Sequence, residues 1–108
     1  MTVQLVALAF DARAPKQLAR FSADALRWNI REVDGVELVP TDVTSFHVLF
    51  RPVVAEKIGQ NRIHLDLTTT SIDDQTTTVA ELLAIGATHI HIGQDPGGTH
   101  VVLTDPEG

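Results

Sequence analysis

The histidines and one nearby carboxylate carry the chemistry that is most apparent in this sequence. His64 and Asp66 stand two residues apart in 62–69, where Ile63, Leu65 and Leu67 alternate with His64, Asp66 and Thr68. A period of two sends these sets to opposite sides of a strand, so the imidazole and the carboxylate share a side. Such a pair serves general acid–base chemistry near neutral pH, with Asp66 able to orient the ring. Downstream, His89 and His91 alternate with Ile90 and Ile92, and His100 opens the next apolar run. Three or more imidazoles beside one carboxylate have the donor composition of a Zn²⁺ site. The plainer readings stand beside these. His64 then is a hydrogen-bonded core histidine, His89 and His91 lie on a solvated edge strand, and Asp66 holds Arg62 or the ring in place.

A second set lies earlier. Phe46, Val48 and Phe50 share one side of a strand, and His47, Leu49 and Arg51 share the other. Arg51 presents a cation to an anionic ligand, or snorkels to water. Trp28, the one tryptophan, reads as a packing anchor. Gln94-Asp95-Pro96-Gly97-Gly98 is glycine-rich but lacks the Lys-Ser/Thr of a phosphate loop, and reads as a turn. There is no nucleophile elbow.

These residues need a scaffold. The 108 residues suffice for one core. Val3–Phe10 reads as a buried strand, and Pro15 suits the first turn of a helix whose apolar face is Leu18, Phe21, Ala25 and Leu26. Trp28–Val33, Val36–Val39 and Phe46–Val53 read as strands, with Asp34-Gly35 supplying a hairpin turn. The next elements are the alternating 62–69 strand, a helix capped by Ser71 or Asp73 and ended at Gly86, and strands at His89–Ile92 and His100–Thr104. The order is βαβββ followed by βαββ. A shift of 59 lays Val3–Phe10 on 62–69 in the same phase, so the chain reads as two modules, about 1–54 and about 61–108.

Composition narrows the partners. Fourteen acidic against eight basic residues give a net charge of −6, and no two basic residues are adjacent. Nucleic acid and anionic membrane both call for a basic face, so neither is expected. The absence of cysteine removes disulfides and thiolate metal sites. The N-terminus lacks the basic start of a signal peptide, and a cytoplasmic setting is expected.

Two segments, Gly59-Gln60-Asn61-Arg62-Ile63-His64-Leu65-Asp66-Leu67 and Val101-Val102-Leu103-Thr104-Asp105-Pro106-Glu107-Gly108, resemble the glyoxalase-like branch of the vicinal oxygen chelate superfamily. That superfamily includes glyoxalase I, extradiol dioxygenases and bleomycin-resistance proteins. The opening Leu8-Ala9-Phe10-Asp11, its helix and Trp28 fit as well, so the resemblance spans nearly the whole chain. It implies an α+β fold: two βαβββ modules forming a curved mixed sheet around a cup, with the second module lacking its last strand. It also implies four metal ligands, from the first and fourth strands of each module, in the members that use a metal. Here His64 falls at one such place, Leu5 takes the matching place in module one, and Leu49 stands near the carboxylate position. Neither leucine binds a metal, so no metal and no other cofactor is expected.

The expected cup has Leu5, Ala7 and Leu49 as apolar lining, Arg51, His64 and Asp66 as polar contacts, and His64 with Asp66 for any catalysis. The leading expectation is a protein that binds a small organic molecule without the family's metal. The alternatives are a metal-dependent lyase, isomerase or dioxygenase, and an interaction module whose cup is filled. The final strand of module two should begin after Gly108 and pair beside the His64 strand. Either the chain continues or a second copy covers that strand, so a homodimer is expected.

Overall fold

The computed structural model describes residues 2–32, 35–59, 63–90 and 100–108. They form two compact units, Met1–Glu56 with Glu107, and Lys57–Pro106 with Gly108.

The first unit is a βαβββ module. Its elements are β1 (Ala7–Ala12), α1 (Pro15–Leu26), β2 (Asn29–Arg31), β3 (Val36–Val39) and β4 (His47–Pro52). The sheet order is β1-β4-β3-β2, with β1 parallel to β4 and the other pairs antiparallel. β4 thus returns to lie beside the first strand, as the sequence order predicts. β1 begins four residues later than its apolar run suggests and continues through Asp11 and Ala12. The reason lies in the ladder: Ala7 pairs with His47 and Ala12 with Pro52, so β1 extends only where β4 supplies partners. Val3 and Val6 are left exposed before it.

Alternation along the sheet supplies its core. Val36, Leu38, Val48 and Phe50 point to one side, where Leu18, Ala19 and Ala23 of α1 cover them. Two alanines in the helix interface let α1 approach the sheet closely, and Leu38 is wholly buried. Phe10 and Phe50 meet as a tilted ring pair with centroids 6.1 Å apart.

Pro15 sits in the first turn of α1, and Ala14 at its N-cap offers no side-chain acceptor. Glu107 supplies one instead, accepting from the backbone N–H groups of Arg13 at 2.8 Å and Ala14 at 3.0 Å. Trp28 is buried, and its indole N–H donates to Asp42 Oδ2 at 2.9 Å, which makes it the packing anchor expected of it. Gly35 has φ +127°, the left-handed conformation that the turn between β2 and β3 demands. Val33 and Asp34 lie outside the described residues.

The second unit holds α2 (Ile72–Ala84), β5 (Thr88–His89) and β6 (Leu103–Thr104). Ser71 is the N-cap, accepting from Asp74 N–H at 3.0 Å, and Gly86 follows the helix at φ +123°. β5 and β6 pair antiparallel, Thr88 with Thr104 and His89 with Leu103. The segment 63–69, which alternates like a strand, joins no sheet among the described residues. Alternation makes a strand only where a neighbour accepts the ladder, and neither β5 nor β6 pairs with this segment. Ile63, Leu65 and Leu67 remain exposed. The Gln94–Gly98 turn lies outside the described residues. No helix among the described residues is long and apolar enough to cross a membrane.

Candidate functional site

With α1 covering one side of the first unit's sheet, the other side is left to Ala7, Ala9 and Asp11 of β1, His47, Leu49 and Arg51 of β4, Glu37 and Val39 of β3, and Asn29 and Arg31 of β2. This face combines an aliphatic floor with a compact charged group.

The centre of that group is Glu37. Arg31 lies opposite it in the β2–β3 ladder and donates twice to Oε2, from Nη2 at 2.6 Å and from Nε at 3.0 Å. The other oxygen, Oε1, bonds to His47 Nδ1. Each carboxylate oxygen therefore has its own partner, and Glu37 bridges two side chains that do not bond each other. The hydrogen bond from His47, followed by those from Arg31, holds the Glu37 carboxyl below its ordinary value, against a smaller opposing effect of partial burial. An ionised carboxylate only accepts, so Nδ1 carries the proton of the shared bond. In the neutral ring Nε2 is then the basic nitrogen. It has no hydrogen-bond partner among the described residues, and the His47 side chain is 35% exposed against 12% for Glu37. Arg51 lies two residues along from Leu49 on the same face and opposite Asp11, without an ion pair among the described residues.

The structure brings three of the six predicted site residues to this face: Ala7, Leu49 and Arg51. Leu5 precedes β1 and is exposed. His64 and Asp66 belong to the second unit, exposed in the segment 63–69. His89 is exposed in β5, His100 is exposed ahead of β6, and His91 lies outside the described residues. A surface depression of about 560 Å³ lies elsewhere in the first unit, against Pro15, Val36, Phe50 and Pro52, and Lys16 is the one ionisable residue lining it.

Sequence reasoning placed His47 on the correct side of β4 but gave it no role. The sequence carried no signal for it: a two-residue Asp34-Gly35 turn would set Arg31 against Leu38, whereas the ladder pairs Arg31 with Glu37, one residue out of that register.

The sequence profile of the glyoxalase-like domain matches residues 7–108. The chain belongs to the glyoxalase-like domain family. This places it in the vicinal oxygen chelate superfamily that its motifs resemble. A solved structure similar to this glyoxalase-like chain is that of the oxidase ChaP-H2, with a TM-score of 0.59 and 24% sequence identity, covering 91% of this chain and 76% of that one. That identity speaks for the fold alone. No curated protein matches the chain.

The superfamily's metal can be tested against the donors present. Leu5 and Leu49 stand at two of the implied ligand places, and the described residues contain no group of three or more His, Asp or Glu side chains able to hold an ion. Stable metal sites need three or four donors, so the described donor set does not fit the family's metal.

Proposed function

We propose that this glyoxalase-like chain binds a small organic molecule on the helix-free face of its first module, without the superfamily's catalytic metal. One observation carries the reading: that face sets small and aliphatic side chains, Ala7, Ala9, Leu49 and Val39, beside the Glu37–His47 pair and an Arg51 that has no ion pair among the described residues. Apolar floor with a few directed polar groups is the usual make-up of a small-molecule site. The small side chains of Ala7 and Ala9 favour an open face over the filled one an interaction module would have. His64 and Asp66 stand as an acid–base pair of the second unit, and the partner set is a small organic molecule and a second copy of the chain. The lack of cysteine is compatible with a cytoplasmic setting.

The experiment is ligand-observed NMR with a fragment set of small organic acids, amines and neutral compounds, run on wild type, Arg51→Gln and Leu49→Lys. Hits that weaken in both variants support the reading. Metal analysis of the purified protein with a His64→Ala control addresses the rival lyase, isomerase or dioxygenase. Stoichiometric metal that is lost in that variant would replace the metal-free reading.

A further inference from the structure

We propose that His47 is a general acid–base residue acting on a small organic carboxylate, with Glu37 and Arg31 as its positioning residues and Arg51 as the group that meets the carboxylate. This rests on the binding reading above and adds a chemistry and a ligand class to it.

The arrangement has the parts such a residue needs. A hydrogen bond at one ring nitrogen of a histidine sets both its tautomer and its ring orientation, and so decides which nitrogen is presented as the base. Glu37 Oε1 provides that contact at Nδ1, and the two Arg31 bonds to Oε2 hold the carboxylate in place. The other nitrogen belongs to a side chain that is 35% exposed, and the ladder neighbour of His47 on β1 is the small Ala7, which leaves room for a molecule beside the ring. Across the described face the charged groups near His47 are Glu37 and Arg31 from β3 and β2, Arg51 on its own strand and Asp11 on β1. Arg51 is the cation of that set that has no ion pair among the described residues, which is why an anionic group is assigned to it.

The step is a reversible proton transfer. His47 Nε2 takes a proton from a C–H beside the substrate's carbonyl, the electron pair of that bond moves into the carbonyl as an enolate, and the same nitrogen returns a proton to carbon. No oxidant or further reactant enters.

Pyruvate in D₂O is the probe, because each proton that leaves its methyl group is replaced by deuterium and disappears from the ¹H NMR spectrum. Acetone is the neutral control. Wild type should exchange pyruvate at least about tenfold faster than His47→Gln, a conservative fraction of what general bases contribute. Arg51→Gln should reduce the pyruvate rate several-fold while leaving acetone unchanged. Long-range ¹H–¹⁵N spectra of wild type should show the His47 ring protonated at Nδ1, and Glu37→Gln should convert this to a mixture of tautomers. Equal exchange by wild type and a folded His47→Gln overturns the proposal, as does an Nε2-protonated ring in wild type, which requires no variant to fold. If fragment acids bind through Arg51 while exchange is equal, only the acid–base role falls. If no organic molecule binds and exchange is equal, the binding reading falls with it.

Discussion

Glu37 faces Leu49 in the β3–β4 ladder, yet its carboxylate reaches diagonally past that neighbour to His47, two residues back on β4. Diagonal neighbours on one sheet face lie within reach of long side chains, and Glu37 uses the freedom to join three strands. Arg31 comes from β2, Glu37 from β3 and His47 from β4. The bridge thus ties the open edge strand β2 to the strand that pairs with β1, on the side of the sheet that α1 does not cover.

A pH dependence follows from this bridge. Folding holds the Glu37 carboxyl below its ordinary value through His47 first and Arg31 second. The unfolded chain therefore binds more protons in the acid range, and stability contributed by the bridge is full above the ordinary glutamate value and is lost as pH falls through the lowered one. Glu37→Gln removes that contribution. Urea unfolding should show the variant about 0.5 kcal/mol less stable than wild type at neutral pH, a figure kept small because Arg31 is half exposed. The gap should narrow below about pH 4. A gap that stays constant down to strongly acid pH would show that the bridge is not the source.

The second unit predicts self-association. Ile63, Leu65 and Leu67 are 57%, 48% and 59% exposed, in a segment that alternates in sequence and joins no sheet among the described residues. Such a segment offers both an apolar row and backbone groups suited to strand pairing, the two features through which copies of a chain associate. Sedimentation equilibrium at high micromolar concentration should therefore report a homodimer. Leu65→Asp should weaken it at least about tenfold, which is about 1.4 kcal/mol. A wild-type protein that sediments as an 11.7 kDa monomer throughout would sink the homodimer.

How much of this could be read from the sequence depends on the range of the interaction that decides each feature. α1 was legible because Pro15 and the spacing of Leu18, Phe21 and Leu26 are local signals, although the buried face turns out to centre on Leu18, Ala19 and Ala23. β3 was legible because Gly35 marks the turn before it. The return of β4 to β1 was legible from element order. The start of β1 was not, since a partner strand decides how far an apolar run stays paired. The segment 63–69 shows the same limit from the other side: it alternates with a period of two yet joins no sheet among the described residues. The Glu37–His47 contact was hardest, because it depends on register and on a diagonal reach, and neither residue type is rare on a strand surface.

Alanine substitutions at the ends and in the middle of α2 provide a test in which the same new residue acts in opposite directions. None of its residues is buried, so its stability leans on the ends and on intrinsic propensity more than α1 does. Ser71 accepts from Asp74 N–H, and Ser71→Ala leaves that donor without its side-chain partner, at a cost of about 1 kcal/mol. Gly86 sits at φ +123°, where a β-carbon is strained, so Gly86→Ala should cost a similar amount, about 1 kcal/mol. Thr77 is exposed in the middle of the helix, where a branched side chain loses rotamer freedom. Thr77→Ala should thus stabilise the helix by about 0.5 kcal/mol although it also removes a hydroxyl. Amide hydrogen exchange across residues 72–84 reads all three, with faster exchange in the Ser71 and Gly86 variants and slower exchange in the Thr77 variant. Were Ser71→Ala to exchange like wild type, packing of Val79 and Leu82 rather than the cap would be what holds the helix.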